Sequence, residues 1–399
     1  MINILRKEDC CGCGACFDAC PKSAIIWEED YEGFSYPKVD KYKCVDCGLC
    51  NNVCPIEHYI PINDRNAKVK PIILGAYHKD DFVRFSSTSG GVFWGLAEDF
   101  IKHGGYVAGA IFCDHFKIKH IVTNNIETLH KIKGSKYAQS DCRGMYKEIR
   151  SLLSMGERVL ATGLPCQMAG LRQFLRKDYD NLIVVDLICH SVTSPFAFDK
   201  YIRYLENRYG SDIVSYHPKN KEYGGWHDFA FVATFANGEK YIEHAGKDYF
   251  TNIFVGKRHL LCRYSCYKCR FKKHPKPSDI TIGDFWGIEK IDSSFDSPKG
   301  VSKVIINSKK GRDFFYSLNC FTTKEYDEYS SIYNNARSAS LIKSVERCNE
   351  KKRMALVNDM HKYELDYCMI KYFSPDVSVI QRIKKNIKLI IYKITHKIG

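Results

Sequence analysis

Cysteines in two parts of the chain repeat one spacing. Eight of them follow the order C-x2-C-x2-C-x3-C twice, each time with a proline next: Cys10, Cys13, Cys16 and Cys20, then Cys44, Cys47, Cys50 and Cys54. Three closely spaced thiolates can wrap one cubane cluster, while the fourth reaches across to a neighbouring cluster. The spacing therefore predicts two 4Fe-4S clusters, one on Cys10, Cys13, Cys16 and Cys54, the other on Cys44, Cys47, Cys50 and Cys20.

Glycines inside both motifs suit this interpretation. Gly12, Gly14 and Gly48 let the backbone turn tightly around sulfur and offer amides as hydrogen-bond donors. Cys11 does not fit the register and is predicted to be a spectator. The alternative is a pair of zinc sites, but zinc motifs usually come as separated C-x2-C pairs. The doubled motif favours iron–sulfur clusters.

Four further cysteines stand out by position. Cys166 opens a predicted helix after a strand, Cys189 ends the next strand, and Cys266 and Cys269 form a C-x2-C on a basic loop. Strand ends at the carboxyl edge of an α/β sheet are where such folds place their sites. Spacing alone leaves two interpretations open: a third cluster site, or two buried thiols beside a redox pair or half a zinc site.

The elements that must position these residues alternate along the chain. Residues 72–310 switch between predicted strands and helices, including helices at 89–105, 141–156, 165–177 and 194–210 and a hairpin on Asn237-Gly238. This predicts an α/β (α+β) catalytic domain behind an N-terminal dicluster ferredoxin-like domain, followed by a helical C-terminal tail. The expected divisions are 1–60, a linker at 61–71, 72–310, a helical region at 311–376 and a basic amphipathic helix at 377–399.

Composition limits the class of protein. The 399 residues are 45% hydrophobic and 27% charged, as in a globular protein of two or three domains. No apolar run is long enough to span a bilayer, and the N-terminus lacks the parts of a signal peptide, so we expect a cytoplasmic protein. The net charge of +14 is scattered, and three bound clusters would reduce it to roughly +8. We therefore expect no nucleic-acid partner.

Five ordered blocks carry a family resemblance. They are "SSTSGGVFWGLA", "KGSKYAQSD", "ATGLPCQMAGLR", "VDLICHS" with "SPFAFDKY", and "SDITIGDFWGI". Over roughly residues 1–310 the chain resembles the coenzyme F-420 hydrogenase/dehydrogenase beta-subunit family, in the bacterial form with a fused dicluster ferredoxin. The resemblance implies FAD and a third 4Fe-4S cluster, with Cys166, Cys189, Cys266 and Cys269 as ligands. Cys262 matches only the bacterial form and could compete as a ligand.

Flavin contacts are expected at two blocks. The first opens a helix, whose free amides and positive dipole end could hold FAD phosphates; the candidates are Ser87, Ser89, Gly90 and Gly91. The alternative is an ordinary serine-capped helix. The resemblance places Lys136, Tyr137 and Gln139 near a flavin edge, where a cation stabilises reduced flavin.

Two further residues are candidates for catalytic work. Asp284 follows a strand and could orient the flavin or the cluster loops, and Lys136 joins it as a catalytic candidate. His190 lies beside a cluster ligand and is either a proton donor or a group that supports the ligand.

The expected function is that of an iron–sulfur flavoprotein oxidoreductase. Electrons would pass between a ferredoxin-like or other low-potential donor, three clusters, FAD and a small-molecule substrate. The substrate would be an F-420-like deazaflavin or a metabolite of surface-polysaccharide biosynthesis. The alternative is a non-catalytic electron-transfer subunit that docks a partner oxidoreductase.

The C-terminal segment has a pattern of its own. In 377–399, isoleucines recur every three or four residues, and five lysines and an arginine make the rest of the segment strongly basic. This favours a helix lying on an anionic membrane surface as a peripheral contact. The alternative is a helix docked on its own domain with its lysines in water.

Overall fold

The computed structural model describes residues 2, 7–58, 70–250, 260–333, 343–344, 346, 348–373, 387–392 and 395. It has the mixed α/β architecture that the sequence predicts, with an N-terminal ferredoxin-like unit and a helical C-terminal segment. The predicted linker lies almost entirely outside the described residues. No helix in the described part of the chain is both long and apolar enough to cross a bilayer.

The ferredoxin-like unit consists of short elements joined by tight turns. They are helix α1 (Ala15–Ala19), strands β1 (Ile25–Glu29) and β2 (Ser35–Val39), and helices α2 (Leu49–Asn52) and α3 (Pro55–His58). Strands β1 and β2 pair antiparallel. Gly14 and Gly48 begin α1 and α2 at φ of 86° and 73°, a left-handed conformation that glycine adopts without strain. The two cysteine motifs therefore share one local geometry.

The large domain is built on a mixed sheet. In chain order its strands are β3 (Ile72–His78), β4 (Tyr106–Phe112), β5 (Ile118–Thr123), β6 (Val159–Gly163), β7 (Leu182–Leu187), β11 (Ile280–Asp284), β12 (Ser302–Ile306) and β13 (Phe321–Tyr326). Among the described residues they lie side by side in the order β13-β3-β12-β11-β7-β6-β4-β5. The central strands β4, β6, β7 and β11 are parallel, so their carboxyl ends meet at one edge.

Eight helices of the described residues accompany this sheet. They are α4 (Asp81–Ser86), α5 (Val92–Lys102), α6 (Ile126–Ile132), α7 (Met145–Ser154), α8 (Pro165–Leu175), α9 (Pro195–Tyr209), α10 (Ile288–Ile291) and α11 (Lys309–Ser317). Four of them, α5, α7, α8 and α9, lie close to where the sequence predicts helices. Apolar clusters fill the space on both faces of the sheet: one joins α5 and α6 to it, the other joins α7, α8 and the cysteine loop of the ferredoxin-like unit. The first cluster loop is therefore part of the main core.

A second, three-stranded antiparallel sheet packs against helix α9. Its strands are β8 (Ile213–Asn220), β9 (Ala230–Phe235) and β10 (Lys240–His244), and the last two form the predicted hairpin. Helices α12 (Glu350–Lys362) and α13 (Leu365–Cys368) close the same aromatic-rich core.

The structure corrects the expected boundary at residue 310. The sequence predicts a helical region at 311–376, yet this region contains β13, which pairs antiparallel with β3 at the edge of the large sheet. The reason is that Phe321 and Tyr326 anchor the strand while its middle is solvated, a pattern that an edge strand tolerates. The domain with the large sheet therefore extends past the predicted limit.

The last described helical residues divide between core and solvent. Tyr392 is buried and Leu389 packs on the same aromatic core, whereas Ile387, Ile390 and Ile391 are exposed. The rest of the predicted amphipathic helix at 377–399 lies outside the described residues, apart from Thr395. Both interpretations of this segment therefore stay predictions.

Candidate functional site

Polar contacts fix the ferredoxin-like unit on the large domain. The Asp18 carboxylate accepts hydrogen bonds from the backbone amides of Gly144 (2.7 Å) and Tyr146 (3.0 Å) at the start of α7. Glu32 forms a buried ion pair with Arg353 of α12. An acidic group at a helix N-terminus satisfies amides that have no partner within the helix. The first cysteine motif is thus held in one position relative to the sheet.

The eight motif cysteines fall into the two predicted groups. Cys10, Cys13, Cys16 and Cys54 are buried, and Cys16 interacts electrostatically with each of the other three and also with Cys50. The other four thiols line one small cavity: Cys20, Cys44, Cys47 and Cys50. Four thiols are the donor set of a 4Fe-4S cluster, so both groups fit one. No three His, Cys, Asp or Glu side chains among the described residues converge on one metal ion; a cubane instead presents a separate iron to each thiolate.

Burial makes the first group hard to ionise without metal. It raises the pKa of Cys54 to about 11, and it raises the pKa of Cys10 and Cys16 as well. The Arg263 guanidinium opposes this at Cys10, where it lowers the pKa of the thiol. Since the ligand form is the thiolate, binding of a cluster here must release protons.

A second cavity brings the four remaining candidates together. Its volume is about 150 Å³, and its lining includes Cys166, Cys189, Cys266 and Cys269. Cys166 lies in the first turn of α8, and Cys189 is two residues beyond β7. The loop with a 3-10 helix at Tyr264–Lys268 brings Cys266 and Cys269 over the sheet edge. The four thiols have the donor chemistry of a third cluster.

Two cysteines near this cavity differ from expectation. Cys11, predicted to be a spectator, also lines the cavity. Cys262 is fully buried, does not line it, and is hydrogen-bonded to Tyr267. Lys272 and Lys276 also line the cavity, and the Lys272 ammonium donates to the carbonyls of Cys189 (2.8 Å) and His190 (2.5 Å). The cavity is therefore rich in thiols with positive charge beside them.

A larger cavity of about 410 Å³ lies at the carboxyl ends of β6, β7 and β11. Of the nine residues predicted to bind flavin or to act in catalysis, seven line it: Ser87, Ser89, Gly91, Lys136, Tyr137, His190 and Asp284. Trp286 also lines it. Two predicted residues do not. Gly90 lies behind the lining, where its amide donates to Ser302 Oγ at 2.9 Å, and Gln139 faces the ferredoxin-like unit, where it donates to the carbonyl of Cys11 at 3.0 Å.

The Ser-Gly loop is braced from behind. The hydroxyl groups of Ser87 and Ser89 donate to the carbonyls of Val83 (2.7 Å) and Val301 (3.0 Å). The buried Lys221 ammonium donates to the carbonyls of Arg84 and Ser89 at 2.7 and 2.8 Å. With the hydroxyls engaged, the groups that can face an anion in the cavity are the first amides of α5, which have no partner within the helix.

Lys136 has a structural role that the sequence did not indicate. Its ammonium donates to four carbonyls at the end of α6, those of Ile132 (2.8 Å), Lys131 (2.9 Å), Lys133 and Gly134 (both 3.2 Å). A cation there complements the negative end of the helix dipole. Burial lowers the pKa of Lys136 to about 7. Burial also raises the pKa of Tyr137, and the nearby Asp284 carboxylate adds to this.

Asp284 belongs to a partly buried ion pair. It accepts hydrogen bonds from the ammonium of Lys219 and from Trp226 Nε1 at 2.8 Å. Trp226 stacks on Trp286 with ring centroids 4.6 Å apart. Burial lowers the pKa of Lys219, although Asp284 opposes this. Lys219, in β8, was missed because a lysine in a half-polar strand carries no signal that separates a buried ion pair from a solvated side chain.

The two cavities share a wall. Cys189, His190, Ser191 and Val192 line both of them. One short segment after β7 therefore lies between the two cavities and carries one of the four thiols, that of Cys189, and the exposed side chain of His190 lies on it.

Known families match both parts of this arrangement. Residues 156–328 match the model for the C terminus of the family "Coenzyme F420 hydrogenase/dehydrogenase, beta subunit", and residues 9–57 match "4Fe-4S dicluster domain". The chain carries the C-terminal domain of this beta-subunit family behind a 4Fe-4S dicluster domain. The predicted family and the dicluster domain are confirmed, and the chain is related to iron–sulfur electron-transfer oxidoreductases. The match over residues 156–328 contains the four predicted ligands at the second cavity, Cys166, Cys189, Cys266 and Cys269.

Two individual proteins are similar to parts of the chain. An uncharacterized ferredoxin of Methanocaldococcus jannaschii is 48% identical over 33 residues, which are 8% of this chain and 43% of that ferredoxin. The chain thus spans less than half the length of this curated relative. A chain in the structure of the F420-reducing [NiFe] hydrogenase complex from Methanosarcina barkeri is 18% identical, with a TM-score of 0.43, covering 77% of this chain and 94% of that chain.

Proposed function

We propose that this chain is an iron–sulfur flavoprotein oxidoreductase. Electrons would move between a low-potential donor, the two ferredoxin clusters, a third cluster on Cys166, Cys189, Cys266 and Cys269, and FAD in the larger cavity. The observation that carries the proposal is the shared wall, because it brings a four-thiol site next to a cavity that can hold an organic cofactor. A flavin bound there would convert single electrons into the pair that an organic substrate exchanges.

Different residues of the larger cavity would hold different parts of such a cofactor. The amides at the start of α5 would receive its phosphates, and the Lys219–Asp284 pair with the stacked Trp226 and Trp286 would orient its ring. His190, on the exposed part of the wall, is the residue that could exchange protons with solvent. Lys136 would supply positive charge near the flavin from the end of α6, which its ammonium caps.

The substrate and the setting follow from the same proposal. The substrate is an F-420-like deazaflavin or a metabolite of surface-polysaccharide biosynthesis, and the donor is a ferredoxin-like protein. The second cluster is the entry point, because Cys47 is exposed next to the exposed Tyr42 and Val45. We place this activity in the cytoplasm, with residues 377–399 as a peripheral membrane contact.

The same entry surface suits the alternative, a subunit that only passes electrons to a partner enzyme. Flavin binding separates the two. Anaerobically prepared protein is titrated with FAD, and then reduced ferredoxin is added while the visible flavin band is followed. We expect one FAD per chain to bind and to be reduced. Cys189→Ser should bind FAD but reduce it slowly, whereas Cys113→Ser, on the surface, should behave like the wild type. Wild-type protein that binds no FAD would contradict the enzyme and favour the alternative.

A further inference from the structure

A ninth cysteine of the ferredoxin-like unit lies where two cluster sites meet. Cys11 is buried, its thiol interacts with the thiols of Cys13 and Cys166, and it lines the same cavity as Cys166. Cys13 belongs to the first ferredoxin group, and Cys166 belongs to the four-thiol cavity that Cys11 also lines. One sulfur therefore contacts a ligand of each site.

The backbone around this contact is held closely on both sides. A methyl group built on Gly170 of α8 would lie 2.9 Å from Cys13 Sγ, so the helix that begins with the Cys166 site presses directly on the first group. The Tyr146 hydroxyl contacts the carbonyls of Cys13 (2.8 Å) and Gln167 (2.9 Å) and ties the two segments together. Only a residue without a Cβ fits between them.

Cys11 itself is fixed by the large domain. Its carbonyl accepts a hydrogen bond from Gln139 Nε2 at 3.0 Å, and Gln139 Oε1 accepts one from Arg263 Nη1 at 2.9 Å. Arg263 in turn donates to the carbonyl of Cys10 at 2.7 Å. Gln139 thus has a role at this junction, away from the larger cavity.

Cys11 is not needed as a ligand of either cluster, because each site has four other thiols. A 4Fe-4S cluster takes four thiolates. The first group is complete with Cys10, Cys13, Cys16 and Cys54, and the cavity holds four thiols besides Cys11. Sulfur is soft and polarizable, so a sulfur in contact with both sites is a favourable path for an electron.

We propose that Cys11 is the electron-transfer contact between the first ferredoxin cluster and the third cluster, as a positioning residue that ligates neither. The inference rests on the proposed function. In the step, the first cluster loses one electron and the third gains it; no bond forms or breaks, and no proton moves. The electron comes from the low-potential donor that reduces the ferredoxin clusters.

The test compares Cys11→Ser and Cys11→Ala with the wild type and with Cys113→Ser, all as anaerobically prepared full-length protein. Iron and acid-labile sulfide are counted, and rapid-freeze EPR measures the rate at which the third cluster is reduced after the first. We expect unchanged iron and sulfide in every variant, with transfer slowed severalfold in Cys11→Ala and less in Cys11→Ser. The spin coupling between the two clusters should weaken in the same order.

Two results would overturn the inference. A loss of about four irons per chain in both Cys11 variants would make Cys11 a ligand. Transfer as fast as in Cys113→Ser would remove its role as a contact. Wild-type protein that has only the two ferredoxin clusters would instead refute the proposed third cluster, and that result is visible before any variant is made.

Discussion

Arg263 is a buried cation beside the first cluster site, and removing its charge should lower the reduction potential there. Its guanidinium is almost inaccessible to solvent and lies 3.6 Å from Cys10 Sγ. It also donates to the carbonyls of Cys10 (2.7 Å) and Ser35 (3.0 Å). A reduced cluster carries one more negative charge than an oxidised one, so a nearby cation favours reduction.

The size of the effect follows from the contact distance. At an effective dielectric constant of about 20, a full charge on Cys10 Sγ would be stabilised by about 5 kcal/mol at 3.6 Å. This corresponds to about 200 mV for one electron. The added electron is shared over a cluster held by four thiolates, so about a quarter of this value, about 50 mV, is the lower estimate. We therefore expect Arg263→Met to lower the potential of the first cluster by about 50–200 mV.

The assay is an EPR-monitored redox titration of anaerobically prepared protein. Arg263→Lys, which keeps the charge but not the planar fork of donors, should shift the potential less than Arg263→Met. The second cluster, whose ligands lie at the exposed cavity around Cys47, serves as the internal control and should keep its potential. Iron is counted first so that cluster loss is not mistaken for a shift. An unchanged or raised potential of the first cluster in Arg263→Met would refute the reasoning.

Three further predictions concern the Glu32–Arg353 ion pair, the second cluster and the larger cavity. Either Glu32→Leu or Arg353→Met leaves a buried charge unpaired and should lower the free energy of unfolding by about 3–5 kcal/mol in anaerobic urea titrations, while the double variant should lose less than the sum. If each single variant loses less than about 1 kcal/mol, the pair does not hold the two domains together. Mild oxidation should remove the second cluster before the first, because Cys47 is exposed and Cys10, Cys13, Cys16 and Cys54 are buried; simultaneous loss by EPR would contradict this. Gly90→Ala should lower FAD binding and leave the iron content unchanged, because a methyl group there would lie 2.5 Å from the carbonyl of Ala76; normal FAD affinity would show that the loop tolerates the change.

Local chemistry was predictable from the sequence, and long-range contacts were not. The eight ferredoxin cysteines were found because cluster ligands follow a fixed local spacing. That Cys166 and Cys189 lie close together was predictable because both follow strands, and parallel strands end at one edge of a sheet. Cys11 was set aside as a spectator because its partners include Cys166, far along the chain.

The contacts of several charged and polar side chains also could not be predicted from the sequence. Arg353 meets Glu32 across more than 300 positions of the chain, and no spacing announces such a pair. Lys136 lines the larger cavity, but its four carbonyl partners lie at the end of the helix just before it, so its ammonium acts as a helix cap. Gln139, two positions after Tyr137, does not line the larger cavity and contacts the ferredoxin-like unit instead.

The most direct test of the account is the composition of the intact chain prepared without oxygen. Iron, acid-labile sulfide and flavin are measured against protein concentration in one sample. The account predicts about twelve irons, about twelve sulfides and about one flavin per chain. Protein that holds iron or zinc without acid-labile sulfide, or complete clusters without any affinity for flavin, would contradict it.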